Sequence, residues 1–278
     1  MKKALKTLLI KTKRQVFSKA AGNNPSLFQG EGYDFSELRE YRVGDDIRKI
    51  DWIITAKLQK PYTKLFYEER ELSVVAVCML GGSLFFGTHK IKQDVVAEVA
   101  TIVGYSAIRN SDLFIGAIAS KKLESIESPT RHIFGVDRFI KKVDSFNLLG
   151  KKADYQGSLQ QLFSRIKRRS LVFLIGDFLT PVDVSLLSRK HEVIVVIVRD
   201  RFEEQPLPLG DVNLIDPETY STIHTNFNKN SAIKYKRLVA KNDKELYRHL
   251  NRYQVRFIKI YTDEDPFKKL VGLFAKGL

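Results

Sequence analysis

Residues 73–80 read SVVAVCML, eight residues without a charge. Such an unbroken apolar run is expected of a strand buried on both faces of a sheet. Leu113–Ala119 (LFIGAIA), Leu171–Ile175 (LVFLI), Val193–Val198 (VIVVIV) and Val255–Tyr261 repeat the pattern. The segments between them carry helical spacing. In residues 90–110, Val95, Val96, Val99, Ile102, Val103 and Ala107 share one face. Residues 131–146, 155–168, 181–190, 229–253 and 265–275 also read as helices, and residues 122–127 as a short edge strand beside Leu113–Ala119. Apolar strands alternating with helices require parallel crossovers, so the fold class is α/β, a mostly parallel Rossmann-like sheet with helices on both faces. The alternation breaks once. Residues 211–227 hold two β-prone runs around Asp216-Pro217-Glu218-Thr219, a turn signal, and read as an inserted hairpin.

The remainder of the chain divides around this body. Residues 1–29 read as a basic helix and a loop, residues 30–70 as a charged and aromatic subdomain, and residues 71–278 as the sheet domain. The 278 residues carry a formal net charge of +15. Residues 1–20 hold 7 Lys/Arg and no acid, and residues 228–278 hold 13 Lys/Arg against 5 Asp/Glu. Residues 21–227 balance, so the whole excess lies at the two ends, where it would attract a polyanion or an anionic membrane surface. Against nucleic acid, the basic stretch from Lys234 to Arg256, interleaved with Tyr247 and Tyr253, matches no nucleic-acid-binding motif. Leu238, Leu246, Leu250 and Tyr253 are expected to face the core. No run approaches the ~20 apolar residues of a membrane span. The N-terminus lacks the apolar length and cleavage site of a secretory signal. The single cysteine, Cys78, falls inside a strand and reads as an inert buried thiol in a cytoplasmic protein.

Outside the sheet domain the densest segment is residues 30–52, GEGYDFSELREYRVGDDIRKIDW. It interleaves Asp34, Arg39, Asp45, Asp46, Arg48 and Asp51 with Tyr41, Gly44 and Trp52. Opposite charges at this density read as a structural ion-pair and hydrogen-bond network. Asp46 after the Gly44-Asp45 turn is a candidate helix cap. No histidine lies nearby to complete an acid–base set.

Through Gly30, Gly32, Asp34, Phe35, Leu38, Arg39, Tyr41, Gly44, Asp45, Asp46, Arg48, Ile50, Asp51 and Trp52, the segment resembles the bacterial family called domain of unknown function fifty-eight. The resemblance extends more weakly to about residue 200. It implies a von Willebrand factor A-like fold and work alongside a MoxR-type AAA+ ATPase, as an adaptor or in protein maturation. Such domains commonly hold a divalent metal with Asp-x-Ser-x-Ser after the first strand, a later Thr, and an Asp after the fourth strand. Here those positions fall on Met79, Gly81, Ser83, Ala153 beside Asp154, and Asp177. Only Ser83 and Asp177 retain hard oxygen donors, too few for a tight Mg²⁺ site, although Mg²⁺ keeps enough water for weak binding to stay open. The expectation is a degenerate metal-ion-dependent adhesion site without a cofactor.

No catalytic template completes itself: there is no G-x-S-x-G elbow, P-loop or H-E-x-x-H, and the five histidines are scattered. His191, in Arg189-Lys190-His191, is explained by a helix C-terminus. The sequence therefore points to a non-enzymatic protein-binding scaffold. Its binding rim would be Gly81, Gly82, Ser83, Asp154 and Asp177, and it would be cytoplasmic or peripheral to the inner membrane. Polyanion binding through the basic ends is the alternative.

Overall fold

The computed structural model describes residue 12 and residues 38–42, 47, 50–64, 73–151 and 153–275. The chain forms two compact units, Gln29–Glu71 and the rest. In the smaller unit, β1 (Leu38–Glu40) pairs antiparallel with β2 (Tyr62–Lys64), and helix α1 (Trp52–Leu58) lies between them in the chain. Asp51 caps α1, its Oδ1 accepting the amides of Ile53 at 3.0 Å and Ile54 at 3.2 Å. This satisfies two of the orphan N–H groups that every helix start leaves. Arg39 and Tyr41 lie on and just after β1. Asp34, Gly44, Asp45, Asp46 and Arg48 lie outside the described residues.

The larger unit is built on a six-stranded sheet. Its strands are β3 (Ser73–Met79), β4 (Leu113–Ala119), β5 (Leu123–Ile126), β6 (Leu171–Gly176), β7 (Glu192–Arg199) and, late in the chain, β10 (Arg256–Tyr261). The spatial order is β10-β7-β6-β3-β4-β5, parallel throughout except for antiparallel β5 at one edge. Strand side chains alternate faces, and the core follows. Val74, Ala76 and Cys78 point into one layer, with helices α2 (Lys92–Arg109) and α3 (Ile133–Ser145). Val75, Val77 and Met79 point into the other, with α4 (Tyr155–Arg165). This two-sided burial is why the central strands β3, β4 and β6 carry no charge. Cys78 is buried, and desolvation pushes its thiol well above the ordinary range.

The expected helix over residues 181–190 shrinks to one turn, α5 (Ser185–Ser188). Asp183 accepts the Ser185 amide at 2.8 Å immediately before it, a local turn that holds the preceding residues out of the helix. A short helix, α6 (Arg201–Glu204), follows β7, closed by a capping box between Asp200 and Glu203. The hairpin is β8 (Gly210–Ile215) with β9 (Thr222–Phe227), leading into α7 (Lys229–Arg252) and later α8 (Pro266–Ala275). No helix among the described residues is long and apolar enough to cross a membrane.

Candidate functional site

The chain moves from β3 outward to β4, then returns to β6 on the other side of β3. The carboxyl ends of β3 and β6 therefore flank the point where the sheet order reverses, the usual ligand position of open α/β sheets. Gly81, Gly82 and Ser83 follow β3, and Asp177 follows β6. The loop before α4 joins them. A Cβ on Gly81 would stand 3.0 Å from the Ala153 Cβ and 3.2 Å from the Tyr155 hydroxyl. Ser83 lies beside the Asp177 carboxylate and helps to hold its pKa low. Asp154, the remaining rim residue, is exposed, whereas Gly81, Gly82 and Asp177 are buried.

A lysine is paired with Asp177, one of the positions that the resemblance makes a metal ligand. Lys92, the first residue of α2, is fully buried. Its Nζ lies 2.9 Å from Asp177 Oδ2 and 2.5 Å from Glu203 Oε1. Burial pulls the Lys92 ammonium down, but the two carboxylates outweigh it and hold its pKa above the ordinary value. Burial pushes Asp177 up, and Lys92 with neighbouring Ser83 overcomes this to hold it below the usual carboxylate range. Lys92 and Asp177 are therefore both charged at neutral pH. The donor set does not fit a divalent cation. Ser83, Asp177 and Glu203 supply the hard oxygens, and both carboxylates are already bound to the Lys92 ammonium.

The polar network continues along the strand ends. Asp200 accepts Thr88 N at 2.8 Å and Thr262 Oγ1 at 2.6 Å. Burial acts to raise Asp200, and these hydrogen bonds hold it below the ordinary value. Fully buried Arg199 binds Asp243 of α7, which also accepts Lys259 at 2.8 Å. Lys259 reaches Glu204 as well. The carboxylates of this network are thus each engaged by a cation or a hydroxyl, the arrangement of a structural network and not of a free general acid or base.

The hairpin closes the site from outside. Its tip lies over the glycine loop: a Cβ on Gly82 would come within 2.7 Å of Glu218 Cγ and 3.0 Å of the Pro217 carbonyl carbon. The Gly150 amide donates to the Pro217 carbonyl at 2.8 Å. Gly82 is therefore required by close packing of another backbone segment, Gly81 is crowded by the Ala153 and Tyr155 side chains, and the chain's own turn covers the rim.

Lys92 carries no motif signal. Its one sequence clue is a lysine in the first turn of a helix, where the helix dipole disfavours a cation. His191 lies beyond the one-turn α5, buried edge-on to Phe163 with ring centroids 6.2 Å apart. Burial and neighbouring Lys190 lower it to about 4. It is neutral at pH 7, so the expected role as a cation at a helix end does not hold.

This strand order defines a von Willebrand factor A-like fold with a buried lysine paired to Asp177 at the strand-end rim. Residues 37–245 match the family described as Protein of unknown function DUF58, and the chain belongs to that family. It is 25% identical over 283 residues to the uncharacterized proteins Rv1480 of Mycobacterium tuberculosis and Mb1516 of Mycobacterium bovis, covering 98% of this chain and 88% of each relative. Among solved structures, the conserved hypothetical protein BatB from Bacteroides thetaiotaomicron aligns with a TM-score of 0.47 at 9% identity, over 74% of this chain and 98% of that one. An aerotolerance-related membrane protein from Bacteroides fragilis aligns with a TM-score of 0.44 at 12% identity, over 74% of this chain and 99% of that one.

Proposed function

We propose that this protein is a non-enzymatic, metal-independent adaptor that binds another protein at the strand-end rim and the hairpin lying over it. The observation that carries the reading is the Lys92 ammonium between Asp177 and Glu203. A fixed internal cation supplies the charge that a metal supplies in adhesion-type rims, without exchange with solvent. The exposed parts of the rim are then Asp154 and the hairpin, whose Ile215, Tyr220 and Ile223 are each more than half exposed. Exposed apolar side chains spread along this hairpin suit a protein contact. The family resemblance supplies the partner, a MoxR-type AAA+ ATPase.

The test is capture of a purified, tagged MoxR-type ATPase from the same bacterium by the full chain after nuclease treatment, at low and high salt. A complex that survives high salt and is weakened at least about tenfold by Asp154→Arg together with Tyr220→Ala supports the reading, a loss of roughly 1.4 kcal/mol at the interface. A complex indifferent to both substitutions would place the contact elsewhere. Failure to capture the ATPase at either salt concentration would overturn the adaptor role.

A further inference from the structure

Helix α7 presents Lys234, Arg237, Lys241, Lys244, Arg248 and Arg252 at successive spacings of three or four residues, all exposed. Three- and four-residue steps keep side chains on one face, so the six cations form a single stripe. At 1.5 Å per residue it runs about 27 Å. The opposite face is anchored in the fold through Val239, Leu246 and Leu250. Among the described residues the stripe's carboxylate partner is Glu245, 4.0 Å from Lys241, and that pair is itself exposed.

Beside the stripe lies a cleft of about 720 Å³ whose lining includes Lys236, Lys244, Arg248 and Lys259, with an apolar wall at Val239 and Ala240. The carboxylates in this cleft are engaged. Asp243 holds Arg199 and Lys259, and Glu204 holds Lys259 and the Tyr261 hydroxyl. The excess positive charge of Lys236, Lys244 and Arg248 therefore faces the opening.

We infer that this face of α7 docks on an anionic phospholipid bilayer, with lipid phosphates along the stripe and in the cleft beside it. Two observations favour a membrane over nucleic acid. The aromatic residues of the helix are turned inward and occupied: Tyr247 stacks on Phe257 with centroids 4.9 Å apart, Tyr253 meets His249 at 5.0 Å, and Tyr235 meets Phe227 at 6.5 Å. They offer no free platform for stacking bases. The shoulders of the stripe instead carry Ile233 and Leu238, 49% and 59% exposed, placed to enter the headgroup layer. This surface is independent of the rim contact.

The experiment is flotation of the full chain with vesicles of phosphatidylcholine alone and of phosphatidylcholine mixed with phosphatidylglycerol, over a salt series. Binding is expected only with phosphatidylglycerol, and it falls as salt rises. Each cation near an anionic surface is worth about fivefold in affinity, so Lys244→Gln with Arg248→Gln should weaken binding about 25-fold. The same charge loss at exposed Lys121 and Lys122, on the turn joining β4 to β5, should change it little. Equal weakening by both pairs, or none by the α7 pair, overturns the assignment. So does equal binding to phosphatidylcholine alone. Preferential binding of a duplex or single-stranded oligonucleotide, in competition with the vesicles, would give the stripe to nucleic acid.

Discussion

At the level of single residues, Lys92 holds together a site that would otherwise repel itself. Replacing it by methionine leaves Asp177 and Glu203 buried and facing one another, and removing one partner of a buried ion network costs about 3–5 kcal/mol. Urea melts of Lys92→Met should show that loss. Acid unfolding should shift as well. Asp177 is depressed in the folded protein, so its contribution is present above the unfolded carboxylate value and disappears as pH falls through the lower folded value. Without Lys92 the carboxylate rises, and the variant should unfold at a higher pH than the parent. Lys92 is itself raised, so its own contribution is full below the unfolded lysine value and is lost only in strong alkali, as pH passes the folded one. His191 makes a second acid-sensitive position. Its folded pKa of about 4 lies below the ordinary 6.5, so the unfolded chain takes up the proton first. Stability should decline as pH drops from 6.5 towards 4, and His191→Leu should flatten that part of the melting-temperature profile. An unchanged profile would show that the imidazole is not held neutral. Ser83 and Asp177 were readable as the surviving polar positions of the rim. Lys92 was not, because a lysine among helical residues looks like a solvated one until Asp177 and Glu203, 85 and 111 residues later, arrive at its Nζ.

At the level of elements, the hairpin owes little to burial. Its strands are mostly exposed, and it is held at its base by Phe227 against Tyr235 and at its tip by Gly82 and Gly150. Gly82→Val would push a branched side chain into Glu218 and the Pro217 backbone. The tip should lift while the sheet stays intact. Hydrogen exchange and limited proteolysis should then report faster exchange and new cleavage within residues 210–227, with the main thermal transition little changed. A hairpin as protected as in the parent would mean that the tip contact contributes nothing to its position. The existence of the hairpin was legible from two β-prone runs around Asp216-Pro217, and its register follows from the turn. Its destination was not, since the contact joins positions about 136 residues apart and uses glycines that read equally well as an ordinary turn. Leu238 is the opposite case. The helical pattern places it inward with Leu246 and Leu250, but it is 59% exposed on the shoulder of the α7 stripe, while the other two are buried. Apolar periodicity finds the buried face of a 24-residue helix but does not mark which apolar residue at its margin is left outside.

At the level of the whole molecule, the two core layers lie on opposite faces of one set of strands. Phe139, on α3, fills the space above Gly116 in one layer, where a Cβ would fall within 2.3 Å of the ring. Leu162, on α4, is fully buried in the other. Each layer depends on the same backbone, since the residues of β3 alternate between them, so neither can melt while the sheet persists. Truncating Phe139 to alanine should cost about 3–5 kcal/mol, and truncating Leu162 about 2–5 kcal/mol. The sheet separates the two side chains, so no cavity is shared and the double variant should equal the sum within about 0.5 kcal/mol. All three variants should keep one transition, seen alike by far-ultraviolet circular dichroism and by tyrosine absorbance. A second transition in either single variant would mean that the layers unfold separately and that the sheet is not their common support. A double variant milder than the sum by more than that margin would mean that loss of one layer has already loosened the other, with coupling carried through the strands themselves.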